Sequence, residues 1–281
     1  MKNLNMFCLT LEPNHYKFIK ELDYIPVGLG EKDFNANWFS DKSGTNISKK
    51  NKYYSEYTFH YWLWKNYLDQ MDSKWIGFCQ YKKFWSLKNY KTENINIKNL
   101  NEQVLKRIPI EYEKYEAILT EPTFVNQWKV MKFIKMGPKL FIKNPILIFN
   151  KNKRNLNFHF DLMHGEKKLS EAIDLLDDAN KNDFRKFVNS EVSFNAHIMV
   201  ICKSKEKLKS FYNVVFSWLE RCEKIFGFEN LESYNKTRIY GFLGERFMSY
   251  WFQKNTKYKT MPVIIYDIRK DIKCNKILWE M

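Results

Sequence analysis

Two ammonium groups and a phenol crowd the end of one short apolar run, where Trp75-Ile76-Gly77-Phe78-Cys79 gives way to Gln80-Tyr81-Lys82-Lys83. Cations in such a place can hold a diphosphate and stabilise the charge that develops as it leaves. If strand alternation continues, Gln80 and Lys82 face one side while Tyr81 and Lys83 face the other. Exposed lysines following an edge strand are the plainer reading of the same residues.

Other residues have chemistry at matching distances. Asn46, Ser48 and Asn51 precede an aromatic-rich helical pattern, where side-chain oxygens can cap free N–H groups. Glu56 and His60 are four residues apart and share a helix face, as a polar niche or a surface pair. Arg238, Gly241 and Glu245 share another face, with Gly244 beside them. Glycine inside a helix costs about 1 kcal/mol relative to alanine, so two of them call for close approach of another backbone or a ligand. An arginine and a glutamate framing that gap can grip a sugar or phosphate; helix packing with an Arg–Glu pair is the alternative. Asp161, His164 and Glu245 are the candidates for moving a proton.

The chain contains no P-loop, dinucleotide fingerprint, Gly-x-Ser-x-Gly or zinc-protease motif. It also lacks Asp-x-Asp, the kind of acidic pair that holds a divalent metal against a diphosphate. No cofactor is expected and dependence on a divalent metal is left open; if the chemistry is glycosyl transfer, cationic side chains are expected to replace the metal.

The elements that must position these groups alternate between strand and helix patterns. Residues 6–11 read as a strand, a helix starts near Pro13, and 24–29 read as a second strand, a β-α-β opening that favours a parallel sheet. A long loop covers 31–50. A helix over 53–69 precedes the central strand 75–79, and a further strand covers 115–120. Helices are expected over 167–180, 205–222 and 236–252, with a strand over 195–201. The whole reads as one α/β domain over 1–281, without repeats or dividing linkers.

Residues 129–154 are basic throughout, with Lys129, Lys132, Lys135, Lys139, Lys143, Lys151, Lys153 and Arg154 and no acid. Bulky apolar residues interleave with them, and Pro138 and Pro145 forbid one continuous helix. Such a segment suits an anionic membrane surface or an acceptor-facing elaboration; a solvated face over core residues is the alternative.

A net charge of +15 invites a nucleic-acid reading. However, 40 of the 47 basic residues are Lys and only seven are Arg, and Lys is spread along the whole chain. Reading of phosphate and base edges favours Arg, so no nucleic-acid partner is expected. Cys8, Cys79, Cys202, Cys222 and Cys274 are scattered without zinc spacing, as thiols in a reducing compartment would be. The first residues lack the apolar core of a signal peptide, and no 18-residue apolar run is present, so a cytoplasmic protein is expected.

Asn46-Ile47-Ser48, Asn51, Glu56-Tyr57-Thr58, Tyr61-Trp62-Leu63-Trp64-Lys65-Asn66 and Gly77-Phe78-Cys79-Gln80-Tyr81-Lys82-Lys83 stand in an order that resembles a known family. It is that of bacterial capsular and lipopolysaccharide glycosyltransferases catalogued as domain of unknown function 4422. Asn195-Ala196-His197-Ile198-Met199 and Arg238 to Arg246 also look like family blocks, so the resemblance spans about residues 24–252.

The resemblance implies a glycosyltransferase-A type, Rossmann-like domain with a mainly parallel central sheet flanked by helices. It also implies a nucleotide-sugar donor and a glycan or lipid-linked glycan acceptor, on the cytoplasmic face of the inner membrane. Asn46, Ser48, Asn51, Glu56, Gln80, Tyr81, Lys82, Lys83, Arg238 and Arg246 would then bind the donor. Two departures matter: the family's His is Gln80, and its paired Arg are Lys82 and Lys83. Losing the imidazole removes proton exchange from that motif, whereas charge stabilisation survives. A glycan-binding scaffold without turnover, or a basic membrane- or nucleic-acid-binding protein, are the alternatives.

Overall fold

The structure, a computed structural model, describes residues 3–90, 95–127, 131, 133–134, 137–229, 231 and 233–269. Lys129, Lys132, Lys135 and Cys274 lie outside the described residues.

The frame is a nine-stranded sheet. Its strands are β1 (Leu4–Thr10), β2 (Ile25–Gly28), β3 (Phe39–Ser40), β4 (Trp75–Gln80), β5 (Lys83–Trp85), β6 (Ala117–Thr120), β9 (Val200–Cys202), β10 (Tyr258–Met261) and β11 (Val263–Ile265). β7 (Pro122–Phe124) and β8 (Ser193–Asn195) form a separate antiparallel pair. The main run is β10-β6-β9-β4-β1-β2-β3. Four of its six pairings are parallel, and the two made by β9 are antiparallel.

Every residue of β4 is buried, as a central strand with apolar or small residues on both faces must be. Alternate residues of β1 serve two cores. Phe7 and Leu9 join the helices Tyr57–Asn66, Lys205–Phe226 and Ile239–Asn255 on one face. Met6 and Cys8 join the short helix Tyr16–Glu21 and the segment around Leu100 on the other. The register aligns Leu9 with Gln80 and Thr10 with Gly28, so β1, β2 and β4 end along one edge.

Three elements differ from the sequence reading. The helix expected over 53–69 is two helices, Asn51–Tyr54 and Tyr57–Asn66, parted by Ser55 at φ 57°. The strand expected over 195–201 breaks between β8 and β9, where His197 and Ile198 hold φ of 88° and 54°. The helix expected over 167–180 is Lys168–Asp174 followed by Asp178–Ser190, the latter capped by Asp177.

The two helical glycines are accounted for by close packing. A Cβ on Gly241 would lie 2.9 Å from Ser55 Oγ, and one on Gly244 would lie 2.5 Å from the Tyr57 ring. Tyr54 stacks on Tyr240 at 5.0 Å, which closes the same helix pair.

In the basic segment, Pro138 and Pro145 start the short helices Pro138–Lys143 and Ile146–Phe149. A small core of Phe133, Phe141, Leu147 and Phe158 lies beneath them. The four described cysteines are buried free thiols. Among the described residues no helix is long and apolar enough to cross a membrane.

Candidate active site

At the shared carboxyl edge of β1, β2 and β4 lies a cleft of about 510 Å³. In open α/β sheets this is where ligands bind, because backbone groups and loop side chains converge there. Leu9, Leu11 and Leu29 give it an apolar wall; Asn51, Ser55, Glu56, Lys82 and Arg238 give it a polar one. Tyr81 borders it too, held between the His15 ring at 5.3 Å and the Arg269 guanidinium at 5.1 Å.

A smaller recess of about 110 Å³ shares Ser55, Glu56, Lys82, Tyr234 and Arg238 with the cleft. It adds Gln80, Lys83, His197 and Glu245.

Strand alternation does not continue past Gln80. Gln80 pairs directly with Lys83 as β4 turns antiparallel into β5, with Tyr81 and Lys82 at the corner. Gln80 and Lys83 are therefore partners across a hairpin, and both reach His197. Gln80 Nε2 donates to the His197 carbonyl at 2.7 Å, and Lys83 Nζ lies 2.9 Å from His197 Nδ1.

Glu245 Oε1 completes this clamp by accepting the His197 backbone N–H at 2.6 Å. Three contacts thus hold a residue whose left-handed backbone is costly for any side chain, a pattern typical of sites where geometry matters. Burial, helped by the charges of Lys83 and Lys82, pushes the His197 imidazole down to about 3. Burial also draws the Lys83 ammonium below its ordinary value. A neutral imidazole accepting from an ammonium fits both shifts.

Arg238 anchors the opposite wall. Its Nη2 pairs with Glu56 Oε2 at 3.1 Å, Nε donates to Ser55 Oγ, and Nη1 donates to the Tyr234 hydroxyl. The break in the helix at Ser55 is what turns that hydroxyl toward the guanidinium. No Arg238–Glu245 pair forms. Glu56 and His60 do not pair either: His60 is wholly buried, with Nδ1 2.8 Å from the Tyr212 hydroxyl.

Glu245 Oε2 pairs with Arg246 at 2.6 Å. Arg246 itself is buried behind the recess, 4.5 Å over the Phe194 ring and within 3.5 Å of nitrogens on His159 and His164. His164 donates from Nδ1 to the Asn235 carbonyl at 2.8 Å, which leaves Nε2 to accept from Arg246. Burial and the adjacent guanidinium push His164 down to about 2 and His159 to about 3. Asp161 accepts the Lys167 N–H at 3.0 Å, and burial lifts its carboxyl to about 6. Arg246 and His164 are thus placed behind the recess, and Asp161 lines neither cavity.

Asn46 and Ser48 shape the loop that carries the wall. Asn46 Oδ1 accepts from Ser48 N–H and Oγ, and its amide donates to the carbonyls of Lys42 and Gly44. Asn51 reaches the cleft while its amide donates to the Ser55 carbonyl and Thr58 Oγ1 at 3.0 Å each. Ser55, His197 and Tyr234 are site residues that the sequence reading left out of the pocket. His197 lay within a quoted motif, but as part of a strand.

The carboxylates facing the cleft and recess, Glu56 and Glu245, are each matched to a guanidinium. Among the described residues no group of three His, Cys, Asp or Glu side chains is placed to hold a metal ion.

The fold is similar to that of the apo structure of WbbM, described as a bifunctional glycosyltransferase, with a TM-score of 0.67 at 17% identity. That match covers 94% of this chain and 45% of WbbM, so the chain spans less than half of that protein's length. Core-mannan synthase A from Aspergillus fumigatus follows at a TM-score of 0.39 and 11% identity, covering 94% of this chain and 74% of that one. The mannosyltransferase Ktr4p from S. cerevisiae has 0.34 and 7%, covering 93% and 70%. At those scores the last two add nothing to the fold assignment. No curated protein matches the chain in sequence. The ordered motifs around the cleft fall within residues 9–256, which the model of the family described as domain of unknown function 4422 matches, and the chain belongs to that family.

Proposed function

We propose that the protein is a glycosyltransferase that moves a sugar from a nucleotide-sugar donor to a glycan acceptor, in the building of a capsule or lipopolysaccharide. The observation that carries this reading is the cleft at the ends of β1, β2 and β4, where Lys82 and Arg238 face an apolar wall. A nucleotide sugar needs both: an apolar slot for its base, and cations for its diphosphate.

Lys82 sits at the hairpin corner between cleft and recess, and is the ammonium proposed to hold the diphosphate and stabilise it as it leaves. Lys83 acts behind it, because its ammonium is engaged by His197. Arg238 orients Glu56, and Asn51 and Tyr81 bound the slot. Asn46 and Ser48 contribute by fixing the loop, Gln80 by fixing His197, and Arg246 by fixing Glu245. In this reading cationic side chains replace a metal.

If the reaction inverts the sugar, a base must take the proton of the acceptor hydroxyl. Both oxygens of Glu245 are held, by His197 and by Arg246, and Asp161 and His164 line neither cavity. Glu56 borders both cavities and engages Arg238 through Oε2, so Glu56 is the carboxylate proposed for this step. A lipid-linked acceptor on the cytoplasmic face of the inner membrane completes the proposal.

Donor hydrolysis and sugar transfer by the intact protein, measured across nucleotide sugars and acceptor glycans, test this reading. Turnover that falls at least about tenfold in Lys82→Ala supports it. Donor binding with no turnover for any acceptor supports the glycan-binding scaffold instead.

A further inference from the structure

The basic segment sorts its apolar residues into two sets. Phe141 and Leu147 turn inward onto Phe133 and Phe158. Ile142, Ile146 and Phe149 stay in solvent, with 78%, 48% and 86% of their surface exposed. Both sets come from the same two short helices, whose hinge is Pro145.

Around the exposed set stand Lys139, Lys143, Lys151 and Lys153, all exposed, and no acid occurs anywhere in residues 129–154. Lys143 meets Glu166, from outside the segment, at 2.6 Å in a solvent-exposed pair that competing anions can open. Large aliphatic and aromatic side chains projecting into water beside exposed ammonium groups, of which Lys143 alone meets a carboxylate, form a defined surface chemistry. It fits the boundary of a bilayer, where apolar side chains enter the acyl region while lysines reach the headgroup phosphates.

Other occupants fit less well. A second copy would set the same acid-free segment against itself, with Glu166 already engaged by its own Lys143. Nucleic acid would stack successive bases on several aromatic platforms, and of the three exposed apolar side chains only Phe149 is aromatic.

The geometry points to a membrane-docking face made by Ile142, Ile146 and Phe149 with Lys139, Lys143, Lys151 and Lys153, specific for surfaces rich in anionic lipid headgroups. The same face connects to the cleft by a short path. Phe158, in the small core under the docking face, belongs to the helix Leu156–His164, and His164 binds the carbonyl of Asn235 beside Tyr234 on the cleft wall. Docking would therefore set how the cleft is presented to the membrane. The inference stands on the exposed side chains and their charge, whether or not the cleft takes a nucleotide sugar.

Co-sedimentation of the intact protein with vesicles tests it, using phosphatidylcholine alone and phosphatidylcholine mixed with phosphatidylglycerol. Binding to the mixed vesicles only, weakened by added salt, is expected. The double variant Ile142→Ser/Phe149→Ser should bind at least about tenfold more weakly, and Lys139→Glu/Lys153→Glu should lose the preference for phosphatidylglycerol. Because all four positions are exposed, the variants should unfold at the wild-type temperature, which separates lost docking from lost folding. Three vesicle and assembly results overturn the proposal, and a fourth, with nucleic acid, does so too. They are no vesicle binding by the wild type, equal binding by the serine variant, and a wild-type dimer that the serine variant converts to monomer. Binding of an oligonucleotide that depends on Ile142 and Phe149 also overturns it.

Discussion

The ammonium of Lys83 stands 2.9 Å from Nδ1 of His197, although the two residues are 114 positions apart and no strand pairing joins them. The hairpin at Gln80 brings one, and the left-handed break before β9 brings the other. A half-buried ammonium beside a half-buried imidazole fixes the protonation of both: the lysine supplies the shared proton and the histidine stays neutral.

His197 is therefore expected to remain uncharged across the physiological range. Imidazole ¹⁵N NMR should show no titration between about pH 5 and 8. Replacing Lys83 with Met removes the second-largest cause of its depression, after burial, and should raise its midpoint by about one unit. A wild-type midpoint near the ordinary histidine value would contradict the pairing.

Arg238 holds Glu56, Ser55 and Tyr234 at once. Arg238→Ala leaves a half-buried carboxylate without its guanidinium, and should cost about 1–3 kcal/mol in denaturant unfolding. Arg238→Lys keeps the charge but not the fork, so an intermediate loss is expected. Equal stability of all three proteins would show that the wall does not depend on this network.

Gly244→Ala sets two effects against each other. Alanine improves helix propensity by about 1 kcal/mol, but its methyl would meet the wholly buried Tyr57 ring at 2.5 Å. That ring has no free space to move into, so a net loss of about 1–3 kcal/mol is expected from thermal unfolding. A stabilised variant would mean that Tyr57 can repack.

Acid should unfold the protein well above the usual carboxylate range. Burial lowers all five histidines, His15 to about 4, His60, His159 and His197 to about 3, and His164 to about 2. The unfolded chain, with histidines near 6.5, binds more protons than the folded one below that pH. Stability is therefore fully present above about pH 6.5 and falls as pH drops, by about 1.4 kcal/mol per unit for each histidine that stays neutral when folded. Asp41 and Asp161 oppose this: burial lifts each carboxyl to about 6, so their contribution favours the folded state at low pH and is lost as pH rises. Unfolding midpoints in urea from about pH 8 to 5 should fall steeply, and a flat profile would contradict the buried neutral histidines.

The features readable from sequence were those written in apolar runs. β1, β2 and β4 and the helices Lys205–Phe226 and Ile239–Asn255 stand close to where period and burial put them. The glycines at 241 and 244 announced a close approach, and Ser55 and Tyr57 make it. What escaped was written in backbone angles. Ser55, His197 and Ile198 adopt positive φ without the Gly or Asn that would signal it, and the hairpin corner is Tyr-Lys rather than a usual turn pair. Arg246, Asp161 and His164 read as polar residues available to a ligand. Tertiary packing instead surrounds Arg246 with Phe160, Phe194 and Phe242 and turns His164 toward Asn235.

The central claim is that this cleft grips a nucleoside diphosphate sugar with side-chain cations. Isothermal titration of the intact protein with a panel of nucleotide sugars, in chelator and then with added magnesium or manganese, tests it most directly. Saturable binding to at least one nucleoside diphosphate sugar in chelator, weakened at least about tenfold by Lys82→Ala, is the predicted result. No binding to any member of the panel by the folded protein, or binding that strictly requires the added metal, would contradict it.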